Sequence, residues 1–192
     1  DVDGVAVYRV TENESDFAAS TADVHLLVAA TDEAYAGLWR FLLTLDLIAT
    51  VRASELSVDE PLWWMIADQR AATVTVRDHH YTRILDVPAA LSARTYDVAD
   101  TVVLEVADPL GIAAGTFVLT TDAEGAGAVD IVDEPPVGVA VVRIGVAELS
   151  ALLLGGVSAV TLARAGRLVA DDPARLARLF ASTVPPRLSF WY

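Results

Sequence analysis

The chain has 192 residues, of which 54% are hydrophobic, and it carries a formal net charge of −14 at pH 7. That hydrophobic fraction suffices for one packed domain or two small ones, and no apolar run is long enough to span a membrane. The absence of cysteine excludes disulfides, thiolate metal sites and a cysteine nucleophile, and the lack of a basic stripe argues against binding to nucleic acid.

The first part of the chain predicts strands around one amphipathic helix. GVAVYRV and VHLLVAAT alternate as strands do, with the polar loop TENESDFAASTAD between them. Thr31 is a typical N-cap for a helix over DEAYAGLWRFLLTLD. The predicted apolar face of this helix comprises Tyr35, Leu38, Trp39, Leu42 and Leu43. IATVRASEL then predicts a third strand.

Near Val87 the sequence changes to short apolar runs separated by Gly, Pro and Asp, and this change predicts a domain boundary. Before it, EPLWWMIAD follows Asp59 and predicts a short helix with Pro61 in its first turn. ATVTV and YTRILDV predict two strands on either side of the polar RDHH. Pro88 then begins the short helix PAALSAR. We therefore expect one domain over residues 1–87 and a second over residues 88–192.

The second domain combines short strands with helices. Turns rich in Gly, Pro and Asp separate TVVLEVAD, GTFVLTT, GAVDIVD and VGVAVVRI, which is typical of an antiparallel meander. Helices over VAELSALLLGG and VSAVTLARAG end on glycines, and RLVA predicts a short strand. Either Asp171 or Asp172 caps a last helix over PARLARLF, and Pro185–Pro186 stop regular structure. The chain as a whole predicts an α+β fold.

Polar residues that resemble catalytic groups have simpler explanations. His79 and His80 are adjacent, so in a strand they would point to opposite faces, and His25 lies in another strand; we expect no metal site. The acidic pairs Asp59–Glu60 and Asp171–Asp172 precede helices, so capping accounts for them. LLLGGVS lacks the lysine of a phosphate-binding loop, so its two glycines are predicted to end a helix.

The chain end PPRLSFWY is the least ordinary feature. Leaving Leu188, Phe190, Trp191 and Tyr192 in water would forfeit roughly 1.5–3 kcal/mol for each large apolar side chain, so we expect them to be docked. Docking would carry the terminal carboxylate of Tyr192 inward, where it seeks a donor or a cation. Such a carboxylate can accept a proton from an ammonium group. The alternative is that the tail only staples an interface.

Several stretches together resemble a known family. DGVAVYRV, DEAYAGLWRFLLTLDLIATV, DEPLWWMIADQRA, RILDVPAALSARTY, VVLEVAD and LSALLLGGVSAVTLARAGRL, with a terminal aromatic residue, are similar to the C-terminal half of the Eis family. These are GNAT-fold N-acetyltransferases of actinobacteria, named for enhanced intracellular survival. The resemblance runs nearly from end to end of the chain.

The resemblance implies a separate role for each domain. Residues 1–87 are similar to the later part of a central GNAT-like domain, and residues 88–192 to a sterol-carrier-protein-like domain. In this family an N-terminal GNAT domain binds acetyl-CoA, and the C-terminal carboxylate enters its active site as general base toward an aminoglycoside or lysine-type amine. The matching group here is the carboxylate of Tyr192. Trp191 and Phe190 are then candidates for binding the amine, Trp191 through a cation–π wall.

One motif of such enzymes has no match. GNAT enzymes hold the pyrophosphate of acetyl-CoA with an R-x-x-G-x-G/A loop, and RAGRLV, RASELS and RTYDVAD do not fit that pattern. We therefore expect no acetyl-CoA site in these residues and no acetylation by this chain alone. The N-terminal GNAT part would have been removed or would be a separate chain.

Two non-catalytic readings remain open. A sterol-carrier-like domain can enclose an apolar ligand, and the small residues of GVSAVTLARAG could leave room for one. The family also forms hexamers, with Trp39, Trp63 and Trp64 as possible interface anchors here. Without a recognisable signal peptide we expect a cytoplasmic protein, with secretion still possible.

Overall fold

The computed structural model describes residues 2–78 and 80–188. They divide into two compact units. The first runs to Arg77 and also includes Arg187 and Leu188, and the second is Asp78–Pro186. The boundary expected between residues 87 and 88 stays a prediction. We describe each unit by itself.

The first unit is a three-stranded sheet with one long helix. Its elements are β1 (Gly4–Thr11), β2 (Ser20–Ala29), α1 (Asp32–Leu43), β3 (Ile48–Ala53) and α2 (Leu62–Met65). The sheet order is β1-β2-β3, with β1 antiparallel and β3 parallel to β2. Helix α1 makes the connection that parallel pairing requires. β2 begins within the segment predicted as a polar loop, because its first residues pair with β1 and β3.

Helix α1 forms as its sequence predicts. The Thr31 hydroxyl accepts the Ala34 N–H at 3.1 Å, which confirms the N-cap. Trp39 and Leu42 are fully buried on the predicted apolar face. Leu43 is the exception, since 49% of its surface is exposed in the last turn of the helix. The apolar face therefore ends one residue earlier than its spacing predicted.

The second unit is a five-stranded sheet covered by helices. Its elements are α3 (Val87–Ser92), β4 (Asp100–Ala107), β5 (Gly115–Thr121), β6 (Gly127–Val132), β7 (Ala140–Gly145), α4 (Val146–Leu153), α5 (Ala159–Arg164), β8 (Leu168–Ala170) and α6 (Pro173–Leu179). The strands lie in the order β6-β5-β4-β7-β8. Both units mix helices and strands, so the α+β class is confirmed.

The predicted meander is only partly correct. β4, β5 and β6 are consecutive antiparallel neighbours, but β7 pairs with β4 in parallel. β5 already occupies one edge of β4, so the chain crosses over after β6 and β7 takes the other edge. Turn residues mark where strands end but do not state which edge the next strand will join.

The two strands predicted around RDHH are absent from the described residues 72–78 and 80–86. Val74, Val76, Tyr81 and Leu85 are each between 61% and 79% exposed, whereas Ile84 is 4% exposed. Alternating sequence alone does not form a strand, because each backbone group also needs a partner across the sheet. That prediction was wrong.

The core of the second unit lies between its sheet and its helices. Helices α4, α5 and α6 contribute side chains that are at most 2% exposed, namely Val146, Leu149, Leu152, Ala159, Leu176 and Leu179. Strand residues Leu104 and Leu119 oppose them and are fully buried. The apolar ligand that a sterol-carrier-like domain can enclose stays a prediction.

Candidate functional site

The predicted site residues Phe190, Trp191 and Tyr192 lie outside the described residues. The structure instead describes the path that leads to them, from the end of α6 to Leu188. We call residues 181–188 the terminal segment. Residues 181–186 make their contacts in the second unit, and Arg187 makes its contact in the first.

Arg94 holds the start of the terminal segment in the second unit. Its Nη2 donates to the Ala181 carbonyl at 2.6 Å, and its Nη1 donates to the Leu153 carbonyl. The guanidinium also lies over two rings, 5.3 Å from the centroid of Phe180 and 5.4 Å from that of Tyr96. Carbonyl oxygens and π faces compensate this cation for its partial burial.

Two glycines let the terminal segment pass close to the end of α4. Gly155 has a φ of +74°, which closes the helix as its sequence predicted. A Cβ placed on Gly155 would lie 2.6 Å from the Cβ of Ser182, and one on Gly156 would lie 2.9 Å from Cγ of Pro186. No larger residue fits at Gly155 unless the segment moves. The two glycines thus end α4 and also let the terminal segment pack closely against the end of that helix.

Arg187 makes the corresponding contact in the first unit. Its Nε donates to the Glu55 carbonyl at 3.1 Å. Glu55 has a φ of 58°, a left-handed conformation that is uncommon for a residue with a side chain. The terminal segment therefore ends, as far as it is described, on residues that directly follow β3.

A tyrosine–carboxylate pair lies beside this contact. The Tyr35 hydroxyl donates to Oε1 of Glu60, and the same oxygen accepts the Leu62 N–H at 3.2 Å at the start of α2. Burial, followed by the Glu60 carboxylate, raises the pKa of Tyr35 to about 12, while Trp39 and Arg187 act in the opposite direction. Tyr35 is therefore a neutral hydrogen-bond donor at neutral pH.

The remaining polar candidates have structural roles or none that the structure shows. His25 and His80 are exposed, and His79 lies outside the described residues. Across residues 2–78 and 80–188 no group of His, Asp and Glu could hold a metal ion. Asp172 caps α6, as expected, but Asp59 does not cap α2; Glu60 supplies the acceptor instead.

The tryptophans separate by exposure. Trp64 is 81% exposed and Trp63 is half-buried, as expected for neighbours on a short helix. Trp39 is only 3% exposed because it packs in the core of the first unit with Leu42. Trp39 is therefore unavailable as the interface anchor that was predicted.

Open depressions occur on each unit. The first has a volume of about 190 Å³ and places the carboxylates of Glu12 and Asp46 among apolar side chains. The second, of about 430 Å³, contains the ion pair of Arg143 with Glu105 at 2.7 Å. In the described part of the chain no helix has the length and apolarity needed to cross a membrane.

Sequence reasoning overlooked the residues that guide the terminal segment. Arg94 and Glu60 gave no local signal, and Gly155–Gly156 were assigned only as a helix stop. Arg187 offered one signal, since it is the only charged side chain after Arg178.

Family models match almost the whole chain. An acetyltransferase (GNAT) domain matches residues 1–84, and a sterol carrier protein domain matches residues 87–189. The Eis N-acetyltransferase of Mycobacterium tuberculosis is 36% identical over 195 residues, which cover 98% of this chain. This chain belongs to the Eis-like GNAT N-acetyltransferase family with a sterol carrier protein domain.

Other family members agree with this assignment. An uncharacterized N-acetyltransferase of Streptomyces avermitilis is 40% identical over 171 residues, or 88% of this chain. The crystal structure of Eis1 from Mycobacterium abscessus superposes with a TM-score of 0.82 at 32% identity and covers 98% of this chain. The chain spans 40% of the Streptomyces protein, 45% of the Mycobacterium tuberculosis protein and 48% of the Eis1 chain.

Proposed function

We propose that this chain acts in an N-acetyltransferase that moves an acetyl group from acetyl-CoA to an amine of the aminoglycoside or lysine type. The observation that carries the proposal is the match to Eis over 98% of the chain. Acetyl-CoA is the co-substrate of GNAT acetyltransferases. The acceptor amine is the part of the reaction to which this chain contributes.

The carboxylate of Tyr192 is the proposed general base. An alkyl amine is protonated at neutral pH, since its pKa is about 10.4, whereas a terminal carboxyl group has a pKa of about 3.5. The carboxylate accepts a proton from the ammonium, and the freed nitrogen bonds to the acetyl carbonyl carbon. The carbon–sulfur bond breaks, and coenzyme A leaves as a thiolate that takes up a proton. Trp191 and Phe190 are proposed to hold the amine.

We assign no residue of this chain to acetyl-CoA. The R-x-x-G-x-G/A pattern that holds the pyrophosphate in GNAT enzymes does not occur in these 192 residues. We propose that acetyl-CoA binds to a GNAT domain outside this sequence, on the same or a separate chain. That division leaves this chain with the amine side of the site.

The decisive experiment changes only the terminal carboxylate. In the enzyme that contains this sequence, ligation of a synthetic C-terminal peptide converts the carboxylate of Tyr192 to an amide. We expect turnover, followed as release of coenzyme A, to fall about 10²–10⁴-fold, as for loss of a general base. Tyr192→Phe is the matched control, because it keeps the ring and the carboxylate. Equal turnover of the amidated and native enzymes would refute the role of the carboxylate.

A lipid-binding module is the second candidate, carried by the sterol carrier protein match over residues 87–189. The buried side chains of α4, α5 and α6 weigh against it. Native mass spectrometry of protein purified from cells tests it, because a bound lipid adds a defined mass. The hexameric assembly and the cytoplasmic location stay predictions, and light scattering would measure the former.

A further inference from the structure

We propose that residues 72–76 of one copy of this chain pair as an antiparallel β-strand with the same residues of a second copy, with Val74 at the two-fold axis. We call residues 72–76 the pairing segment. The inference does not rest on the acetyltransferase function, because it follows from the backbone and the side chains of this one stretch.

The pairing segment has the composition of a strand but lies in neither sheet. Its sequence is ATVTV, and its last four residues are all β-branched, a kind of side chain that favours strands. Ala72 has an extended backbone, with φ −97° and ψ 133°. Among the described residues, neither sheet includes the segment. A strand forms only when its N–H and C=O groups find partners across a ladder, so this segment needs a second strand.

Two valines of the pairing segment are exposed. Val74 is 68% exposed and Val76 is 71% exposed. Because they are two residues apart, they lie on the same face of an extended chain, together with Ala72. An exposed apolar face beside open backbone groups is the kind of surface to which another strand adds. Strand pairing covers the valines and the backbone in one step.

The pairing segment is complementary to itself in an antiparallel register. A register centred on Val74 sets Val74 opposite Val74 of the second copy, and Ala72 opposite Val76. On the other face of the ribbon, Thr73 lies opposite Thr75. Pairs of β-branched side chains and pairs of threonines both stabilise a ladder when they are directly opposite. A second copy of the chain is therefore a partner that this segment fits.

Opposite charges flank this register at both ends. Arg70 lies four residues before Val74 and Asp78 four residues after it, so Arg70 of each copy comes level with Asp78 of the other. Both side chains are exposed. A carboxylate with a cation opposite it on the same face stabilises a ladder, whereas like charges there oppose pairing. A register centred on Thr75 would lose both ion pairs, so the charges favour Val74 as the centre.

The first test measures self-association of the 192-residue chain. Light scattering follows the mass as concentration rises, at about 0.15 M salt, where a Debye length of about 8 Å screens the repulsion between copies of net charge −14. We expect the mass to approach twice the 20.4 kDa of one chain. Val74→Lys should weaken association at least about tenfold, because two ammonium groups would lie directly opposite each other. Val137→Lys, at a fully exposed turn position, should match the native chain.

The second test locates the two-fold axis. The chain has no cysteine, so a single introduced thiol can form only an intermolecular disulfide. Directly opposed Cα atoms are about 4.5–5.5 Å apart, within the range that a disulfide spans. Under mild oxidation Val74→Cys should form a covalent dimer at least about fivefold faster than Thr75→Cys, whose two copies lie on a diagonal. Thr120→Cys, at an exposed position of β5, is the control for random collision.

The third test exchanges the flanking charges. Arg70→Asp and Asp78→Arg should each weaken dimerisation about threefold, because like charges then face each other at both ends. The double variant should recover the native association, since its ion pairs are only reversed. Every replaced side chain is exposed, so circular dichroism should show the native fold in all of these variants.

A native chain that stays monomeric throughout the concentration series would overturn the proposal. So would an assembly that Val74→Lys leaves intact, since another surface would then hold the copies together. Faster cross-linking of Thr75→Cys than of Val74→Cys, or no recovery in the double charge variant, would overturn the register that centres the pair on Val74.

Discussion

Asp108 organises a whole loop through one carboxylate. Its two oxygens accept the backbone N–H groups of Leu110, Ile112 and Ala113 at 2.9–3.1 Å. Nη2 of Arg83 donates to it at 2.7 Å. Donors of this kind favour the charged form, so the N–H groups of Ala113 and Leu110, and then Arg83, lower the pKa of Asp108 to about 2. The loop after β4 therefore depends on an ionised side chain.

The pH dependence of Asp108→Asn tests this dependence. The folded pKa of about 2 lies below the unfolded value of about 3.9, so the carboxylate stabilises the fold fully above pH 4. That stabilisation is lost as pH falls toward 2. We expect urea unfolding to show a less stable variant at pH 7 and a gap that narrows between pH 4 and pH 2. Asp130→Asn, at an exposed strand position, is the control. A gap of constant size would show that charge is not the cause.

Helix α6 shows how a single side chain begins an element. The sequence predicted either Asp171 or Asp172 as the N-cap of this helix. The structure selects Asp172, whose Oδ1 accepts the Arg175 N–H at 2.9 Å, while Pro173 takes the first helical position. Leu176 and Leu179 are then turned into the core.

The two aspartates therefore provide a matched pair of variants. Asp172→Ala should lower the free energy of unfolding by about 0.5–2 kcal/mol, because the first turn loses its acceptor. Asp171→Ala should change it by less than about 0.5 kcal/mol. Chemical denaturation of both variants measures the difference. Equal effects would mean that local charge, and not the cap, stabilises the helix.

The segment before α3 offers a second matched pair. Ile84 is 4% exposed, and its N–H donates to the Ser150 hydroxyl at 3.0 Å, whereas Leu85 is 61% exposed. Ile84→Ala should cost about 2–5 kcal/mol through the cavity it leaves, and Leu85→Ala less than about 0.5 kcal/mol. Chemical denaturation of the two variants measures this difference in the free energy of unfolding. Similar costs would contradict the difference in burial between these two neighbouring side chains.

At the scale of the molecule, the net charge of −14 should favour cationic amines. The Debye length falls from about 30 Å at 0.01 M salt to about 8 Å at 0.15 M, so this attraction is screened as salt rises. We expect the affinity for spermine, measured by calorimetry, to fall at least about fivefold over that range. A neutral sugar should show no such trend, and salt-independent spermine binding would contradict a role for the field.

Local signals account for the elements that were predicted well. Thr31 reaches an N–H three residues away, and Asp172 does the same, so both caps can be read from a short window. The apolar face of α1 follows from a period of 3.6 residues. The same kind of local pattern predicted strands around RDHH that the described residues do not form. Strands need hydrogen-bonding partners from elsewhere in the chain, and a local pattern does not supply them.

The sequence by itself determined the α+β class, most helix starts and the family, because these depend on neighbouring residues and on motifs kept in order. Only the tertiary structure decided that β7 lies beside β4, that Arg94 holds Ala181 and that Arg187 meets Glu55. Arg94 and Ala181 are 87 positions apart in the sequence, and Glu55 and Arg187 are 132 positions apart. Their geometry arises from the packing of the whole chain, and no pattern of nearby residues encodes it.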